Sequence, residues 1–269
     1  MLFSVSNANT YRDHIAGRLM RGPAALLMDG MPGLFSGIKI LDVGGVTGLL
    51  AEQLGPAVRR FDGHLTIIDS ERHLLRHVNA AHRRIVAEPA NLPFTDGQFD
   101  LVIGNSTLSG RTDVMNEMVE LRRVMKPTSI LHMSGFLPGS FEELFDLLSE
   151  VCEGHALFKI GGRLKDARTE FLSMSEIEEG LQSAGFSIGH ISTEERAIHF
   201  ESGAAALADP LTQLVLDSVL KAGPGSSAME MLGSAWDSLS QTIDTYFHNS
   251  VFPLKIRTVV VTAGCLAES

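Results

Sequence analysis

From residue 38 to residue 134, short apolar runs alternate with longer amphipathic stretches, and this alternation limits the fold more than any other feature. Residues 38–43, 65–69, 84–87, 99–103 and 129–134 read as strands, being β-branched or apolar and bounded by glycine, aspartate or serine. Residues 49–60, 71–81 and 113–125 between them carry the spacing of helices. Such an order predicts βαβ units and an α/β fold with a doubly wound, mostly parallel sheet. Ligands of these sheets sit beyond the carboxyl ends of the strands, so the residue after each strand is where chemistry is expected.

The flanks are more helical. Tyr11, Ile15, Leu19 and Met20 recur at helical spacing, Asn9 or Thr10 is placed to cap, and Gly22-Pro23 predicts a break. Ser140 to Glu143 has the form of a capping box opening a helix to about Glu153. Residues 161–168 read as a charged loop, 173–184 as a capped helix stopped by Gly185, and 186–193 as a strand. Residues 200–247 are helical in pattern with a break at 223–225, and 255–262 closes the chain as an antiparallel strand. The helical stretch is thus an insertion before the last strand. Its leucines, Leu207, Leu211, Leu214 and Leu220, need a surface to bury against.

Composition removes several function classes. The formal charge is −10, from 22 Lys+Arg against 32 Asp+Glu, which argues against a nucleic-acid partner. Hydrophobic residues at 44% and charged residues at 20% exclude wholesale disorder. No run approaches a membrane span and the first dozen residues lack signal-peptide form, so no membrane partner and a cytoplasmic setting are expected. Cys152 and Cys265 are too few for a zinc ribbon or disulfide framework. His73 and His77 at i, i+4 lack a third ligand, so no metal is expected.

The turn Asp42-Val43-Gly44-Gly45-Val46-Thr47-Gly48 follows the first strand and opens a helix. A phosphate-gripping loop needs Lys-Ser/Thr where Leu49-Leu50 stands. The dinucleotide fingerprint needs glycines at positions that hold Val46 and Leu49. An acid two residues before the first glycine remains, suited to a cationic or amino-bearing ligand; a plain strand-to-helix turn is the other account. Asp69 ends the second strand, where a carboxylate can accept both hydroxyls of a ribose or cap the next helix with Ser70.

At these residues the chain resembles the class I S-adenosylmethionine-dependent methyltransferases of small-molecule type, with their Rossmann-like sheet. Residues 40–48 resemble the first motif, 67–70 the ribose-binding strand end, 87–94 with 98–102 the adenine-side stretch, and 121–127 the Arg-Val-Leu-Lys-Pro turn before strand five. The resemblance implies S-adenosylmethionine as cofactor, with Gly44, Gly45 and Gly48 shaping the turn around its methionine part. Asp42 would hold the amino group, and Asp69 with Ser70 the ribose. Glu88, beside Pro89, would accept from the adenine amino group. Asn105 and Ser106 would line the pocket, and Tyr11 would lie on a lid helix. Residues 1–35 would form lid helices, 36–135 the cofactor-binding core and 136–269 the substrate side with a helical cap at about 200–250, all in one domain.

Two positions depart from the family pattern. Val46 replaces the middle glycine of the first motif, either keeping negative φ and narrowing the pocket or weakening cofactor binding. Thr128-Ser129 replaces a Gly-Gly turn remote from the cofactor. The insertion resembles that of the malonyl-carrier-protein O-methyltransferases, which implies a small-molecule or carrier-tethered acyl substrate. From Glu201 onward 7 acidic and 3 basic residues occur, so a patch for an acidic carrier would come from Arg163, Lys165 and Arg168. No general base is assigned; His132 and His155 are the imidazoles nearest to qualifying. A non-catalytic binding protein on the same fold is the rival reading, resting on Val46.

Overall fold

The structure, a computed structural model, describes residues 8–108, 114–222 and 226–266. The strands are β1 (Lys39–Val43), β2 (His64–Asp69), β3 (Arg83–Val86), β4 (Phe99–Gly104), β5 (Met125–Phe136), β6 (Phe186–Phe200) and β7 (Phe252–Cys265). They form one seven-stranded sheet in the order β3-β2-β1-β4-β5-β7-β6. The first five strands pair in parallel, and β7 runs antiparallel to both β5 and β6. This is the expected Rossmann-like architecture. Strand order reverses between β1 and β4, leaving a crevice at their carboxyl ends. Ile40 to Val43 are all buried, because helices cover both faces of β1.

Helix Leu49–Arg60 forms as expected, burying Leu50, Leu54 and Val58 one turn apart. Other elements differ from expectation for local reasons. The helix predicted over 71–81 spans only Arg72–Leu75. Arg84 Nη1 donates to the carbonyls of Leu75 and Val78, at 3.3 and 3.1 Å, and takes acceptors a longer helix would use. The break expected at Gly22-Pro23 falls just before it, at Met20, and the pair sits in the first turn of helix Arg21–Asp29, where a missing N–H is tolerated. The segment before it includes a π-helical stretch, Tyr11–Ala16, and Thr10 gives it no side-chain cap.

Residues 161–168 are helical, not a loop. Helix Phe158–Glu170 buries Ile160, Leu164 and Ala167, and that stripe outweighs the cost of Gly161-Gly162. The capping box at Ser140 does not form. Its Oγ donates to the Leu137 carbonyl at 2.9 Å, and helix Glu142–Gly154 instead starts from Phe141 at φ +63°. The box at Ser173 and Glu176 does form and opens helix Met174–Ser183, which ends before Gly185 at φ +86°.

Strands β6 and β7 run well past their expected limits and pair from Phe186↔Cys265 to Phe200↔Phe252. The insertion rises from the tip of this ribbon as helices Gly203–Ala208, Pro210–Val219, Ala228–Leu232 and Ser234–Tyr246. Its predicted break at 223–225 lies outside the described residues. Leu207, Leu211, Leu214 and Leu220 share one buried cluster with Tyr11, Leu19, Phe136, Phe141 and Leu144. Arg18 pairs with Asp209, and Arg196 of β6 donates to the Leu19 carbonyl, so the N-terminal helices are tied to the insertion. Among the described residues no helix is long and apolar enough to cross a membrane.

Candidate cofactor and active site

The glycine turn begins where β1 ends. Gly44 and Gly48 adopt φ +63° and +84°, values open to glycine at little cost. A Cβ on Gly45 would collide with Ile67 and come within 3.2 Å of Asp42 Oδ2, so its absence lets the turn close over the acid. Val46 also has positive φ, +44°. The expected alternative of a negative φ is thereby overturned: the turn keeps a glycine-like backbone, with a β-branched residue strained by roughly 1–3 kcal/mol. Its N–H donates to Asp69 Oδ2 at 3.0 Å, which holds it there.

Asp42 is 1% exposed, and neither of its carboxylate oxygens has a hydrogen-bond partner. Burial first, and the charge of Asp69 second, push its pKa up to about 8. The Tyr11 hydroxyl is likewise buried without a partner, and burial followed by Asp69 raises its pKa. Asp69 is different. Oδ1 accepts from the Glu71 N–H at 2.8 Å and Oδ2 from Val46, leaving one lone-pair direction on each oxygen. Burial raises its pKa, opposed by these two N–H groups.

After β4, Asn105 Nδ2 donates to the Met20 carbonyl at 3.0 Å, and its Oδ1 accepts from Ser134 Oγ at 3.1 Å. Ser134 Oγ in turn accepts from the Ser106 N–H at 2.7 Å, fixing Ser106 at φ +60°. The Ser106 and Thr107 hydroxyls are buried without partners. Glu88, bridged to Asn91, stands exposed beyond β3 beside Pro89.

These residues line two adjoining hollows. Tyr11, Met20, Asp42, Gly44, Gly45, Val46 and Asn105 surround one of about 300 Å³. Asp69, Ser70, Glu88, Pro89, Asn105 and Ser106 line the other, about 710 Å³ including its mouth. Met20, Gly44, Val46 and Asn105 belong to both and form the wall between them. Gly48 lines neither; it supports the turn, packed against Val78. Met20, Thr107 and Glu117 are lining residues that the sequence reading missed. The Thr107 signal was available, since it directly follows Asn105-Ser106 past a strand end.

Other expected candidates lie elsewhere. His132 is buried between the Thr262 hydroxyl and the Leu27 carbonyl, both at 2.8 Å, and holds helix Arg21–Asp29 to the sheet. His155 meets Ser238 at 2.9 Å on the surface. Neither lines the hollows. His77 lies past the end of its shortened helix, with Nδ1 2.8 Å from Arg12 Nη1. Of the cations considered for a carrier patch, Arg168 pairs with Glu142 and Asp146, Arg163 binds the Leu220 carbonyl, and Lys165 is exposed.

The sheet thus sets Asp42 and Asp69 at the carboxyl ends of its first two strands, with the glycine turn between them. Residues 41–133 match the family model described as a methyltransferase domain. In its matched segment and its fold the chain is similar to S-adenosylmethionine-dependent methyltransferases. The malonyl-[acyl-carrier protein] O-methyltransferase of Geobacter sulfurreducens is 30% identical over 154 residues, 55% of this chain and 55% of that protein. The chain thus spans about half the length of that curated relative. In fold, the YcgJ protein of Bacillus subtilis superposes with a TM-score of 0.60 at 12% identity, over 92% of this chain and all of that one. Phosphoethanolamine N-methyltransferase 2 of Haemonchus contortus, solved with S-adenosyl-L-methionine, gives 0.51 at 14% identity, over 91% of this chain and 53% of that one.

Proposed function

We propose that this chain transfers a methyl group from S-adenosylmethionine to a small molecule or to an acyl group tethered to a carrier protein. Asp42 carries the reading. A buried carboxylate with two orphaned oxygens calls for a cationic partner or a neutralising proton. The ammonium of the cofactor's methionine part is such a partner. The ribose would take the remaining lone pairs of Asp69 beside Ser70, and the adenine amino group would reach Glu88 near Pro89. Gly44, Gly45 and Gly48 would admit the methionine part, and Tyr11 with Asn105 and Ser106 would enclose it.

When bound, the cofactor supplies an electrophilic methyl on a sulfonium. The chain's own part is to hold both reactants in line and to exclude water. In this reading residues 8–29 act as the lid and the ribbon-borne helices as a cap over the substrate side. The names of the curated relatives and the helical insertion support an acyl substrate on a carrier. Free Cys152 and Cys265 suit a reducing cytoplasm.

Calorimetric titration with S-adenosylmethionine tests the site, and labelled methyl transfer to malonyl-carrier protein against a free malonyl thioester tests the substrate. No binding at millimolar cofactor would refute the proposal; binding with transfer to neither acceptor would remove the acyl assignment.

A further inference from the structure

A separate cleft opens at the opposite, amino-terminal end of the parallel strands, where β1, β2 and β3 begin and helix Leu49–Arg60 ends. It encloses about 930 Å³ including its mouth and is lined by Lys39, Arg59, His64, His82 and Arg83, with Thr66 and Gln98 as neutral partners. Among the described residues no acidic one lines it. Strand register builds the cluster. Lys39 pairs with His64 across β1 and β2, and Arg83 pairs with Thr66 across β2 and β3. Gly55 leaves the room that the His82 ring occupies, since a Cβ there would stand 2.9 Å from its Cε1. Burial first and the Arg59 charge second hold His82 below the ordinary imidazole range.

Lys39, Arg59 and Arg83 form no ion pair among the described residues. Asp100, which accepts from the Lys39 backbone N–H, is taken by Lys126 Nζ at 2.6 Å. Arg59 has a second role, complementing the carboxyl end of its helix, but Lys39 and Arg83 begin strands and have none. In a chain of net charge −10, cations gathered in one concavity without acids repel each other unless an anion joins them.

We propose that this cleft binds a small soluble anion carrying two or more phosphate groups, at a site separate from methyl transfer. Two guanidinium forks and an ammonium match several phosphate oxygens at once, more than a single carboxylate offers. The volume is that of a small-ligand pocket, and its concavity suits a soluble phosphate ester better than a flat layer of lipid headgroups.

The test is calorimetric titration of the full chain with inorganic pyrophosphate at neutral pH and low salt. The expected result is saturable one-site binding, weakened by about tenfold or more in the double variant Arg59→Ser/Arg83→Ser. Circular dichroism melting checks the fold of that variant, and Lys39→Ser serves as the readout should the double variant fail to fold. Absence of saturable binding by the wild type, or equal binding by the variants, overturns the proposal. Flotation with phosphatidic-acid vesicles that pyrophosphate does not compete away also overturns it, in favour of a membrane source of the phosphate.

Discussion

The Val46 N–H donates to Asp69 Oδ2 at 3.0 Å, so the acid ending β2 holds the turn after β1 in its left-handed conformation. In the proposed reading, one carboxylate thereby shapes the methionine side of the site and is offered to the ribose side. The strained backbone of Val46 is held because a buried acceptor is aimed at its N–H.

Val46→Gly is expected to leave S-adenosylmethionine affinity unchanged or tighten it. Glycine relieves roughly 1–3 kcal/mol of backbone strain. It also frees the unfolded loop, costing about 0.4–1 kcal/mol, and removes a buried side chain worth about 1.5 kcal/mol or more. Stability without cofactor should therefore change little. Titration separates affinity from melting; a fall in affinity beyond tenfold would show that the Val46 side chain packs favourably on the cofactor.

Asp69→Ala is expected to weaken cofactor binding by roughly 1.5–3 kcal/mol, the scale of hydrogen bonds to a charged group. Because Asp69 also accepts from Val46 and Glu71, the variant should melt earlier even without cofactor. Asp69→Asn, which keeps acceptor capacity at one oxygen, should fall between the two. An unchanged dissociation constant would take Asp69 out of the site.

The pKa of Asp42, raised to about 8, makes a signed pH prediction. A carboxyl whose folded pKa lies above its unfolded value binds its proton more tightly when folded. Its contribution is fully present below the unfolded pKa, near 4, and is lost as pH rises through about 8. Cofactor-free wild type should therefore lose stability over that window relative to Asp42→Asn. Parallel melting curves for the two proteins would contradict the buried, proton-holding acid.

Leu211→Ala is expected to cost about 2–5 kcal/mol in denaturant unfolding, as for other fully buried leucines. Leu211 shares a cluster with Tyr11 and Phe141, so the insertion should unfold with the rest in one transition. A separate early transition would show that the cap is an independent unit.

The parallel half of the sheet was legible because each strand and its helix are decided locally. β1 is apolar but for Lys39 and Asp42, and Leu49 to Val58 keeps its helical stripe without help from elsewhere. The lining of the candidate site was legible for the same reason, since every residue expected there but Gly48 borders a hollow at a strand end. What failed depended on distant partners. The Gly161-Gly162 helix exists because Leu164 has a core to enter. The box at Ser140 lost its hydroxyl to the Leu137 carbonyl, and the helix after Glu71 lost two carbonyls to Arg84. The length of β6 was hidden because its partner, β7, lies some fifty residues further on.

Only the first part of the β6–β7 ribbon pairs with β5; from Glu195↔Arg257 to Phe200↔Phe252 it has no third strand, packs against residues 137–141 and helix Glu142–Gly154, and carries the four helices at its end. It works as a ruler. At about 3.3 Å per residue, the part beyond β5 has a reach of roughly 20 Å. Inserting two residues in each strand would carry the helices about 7 Å outward with the same faces inward, whereas one residue would turn every side chain over. In the proposed reading of these helices as a cap, ribbon length sets where they stand over the substrate side, while the glycine turn and both strand-end acids keep their places.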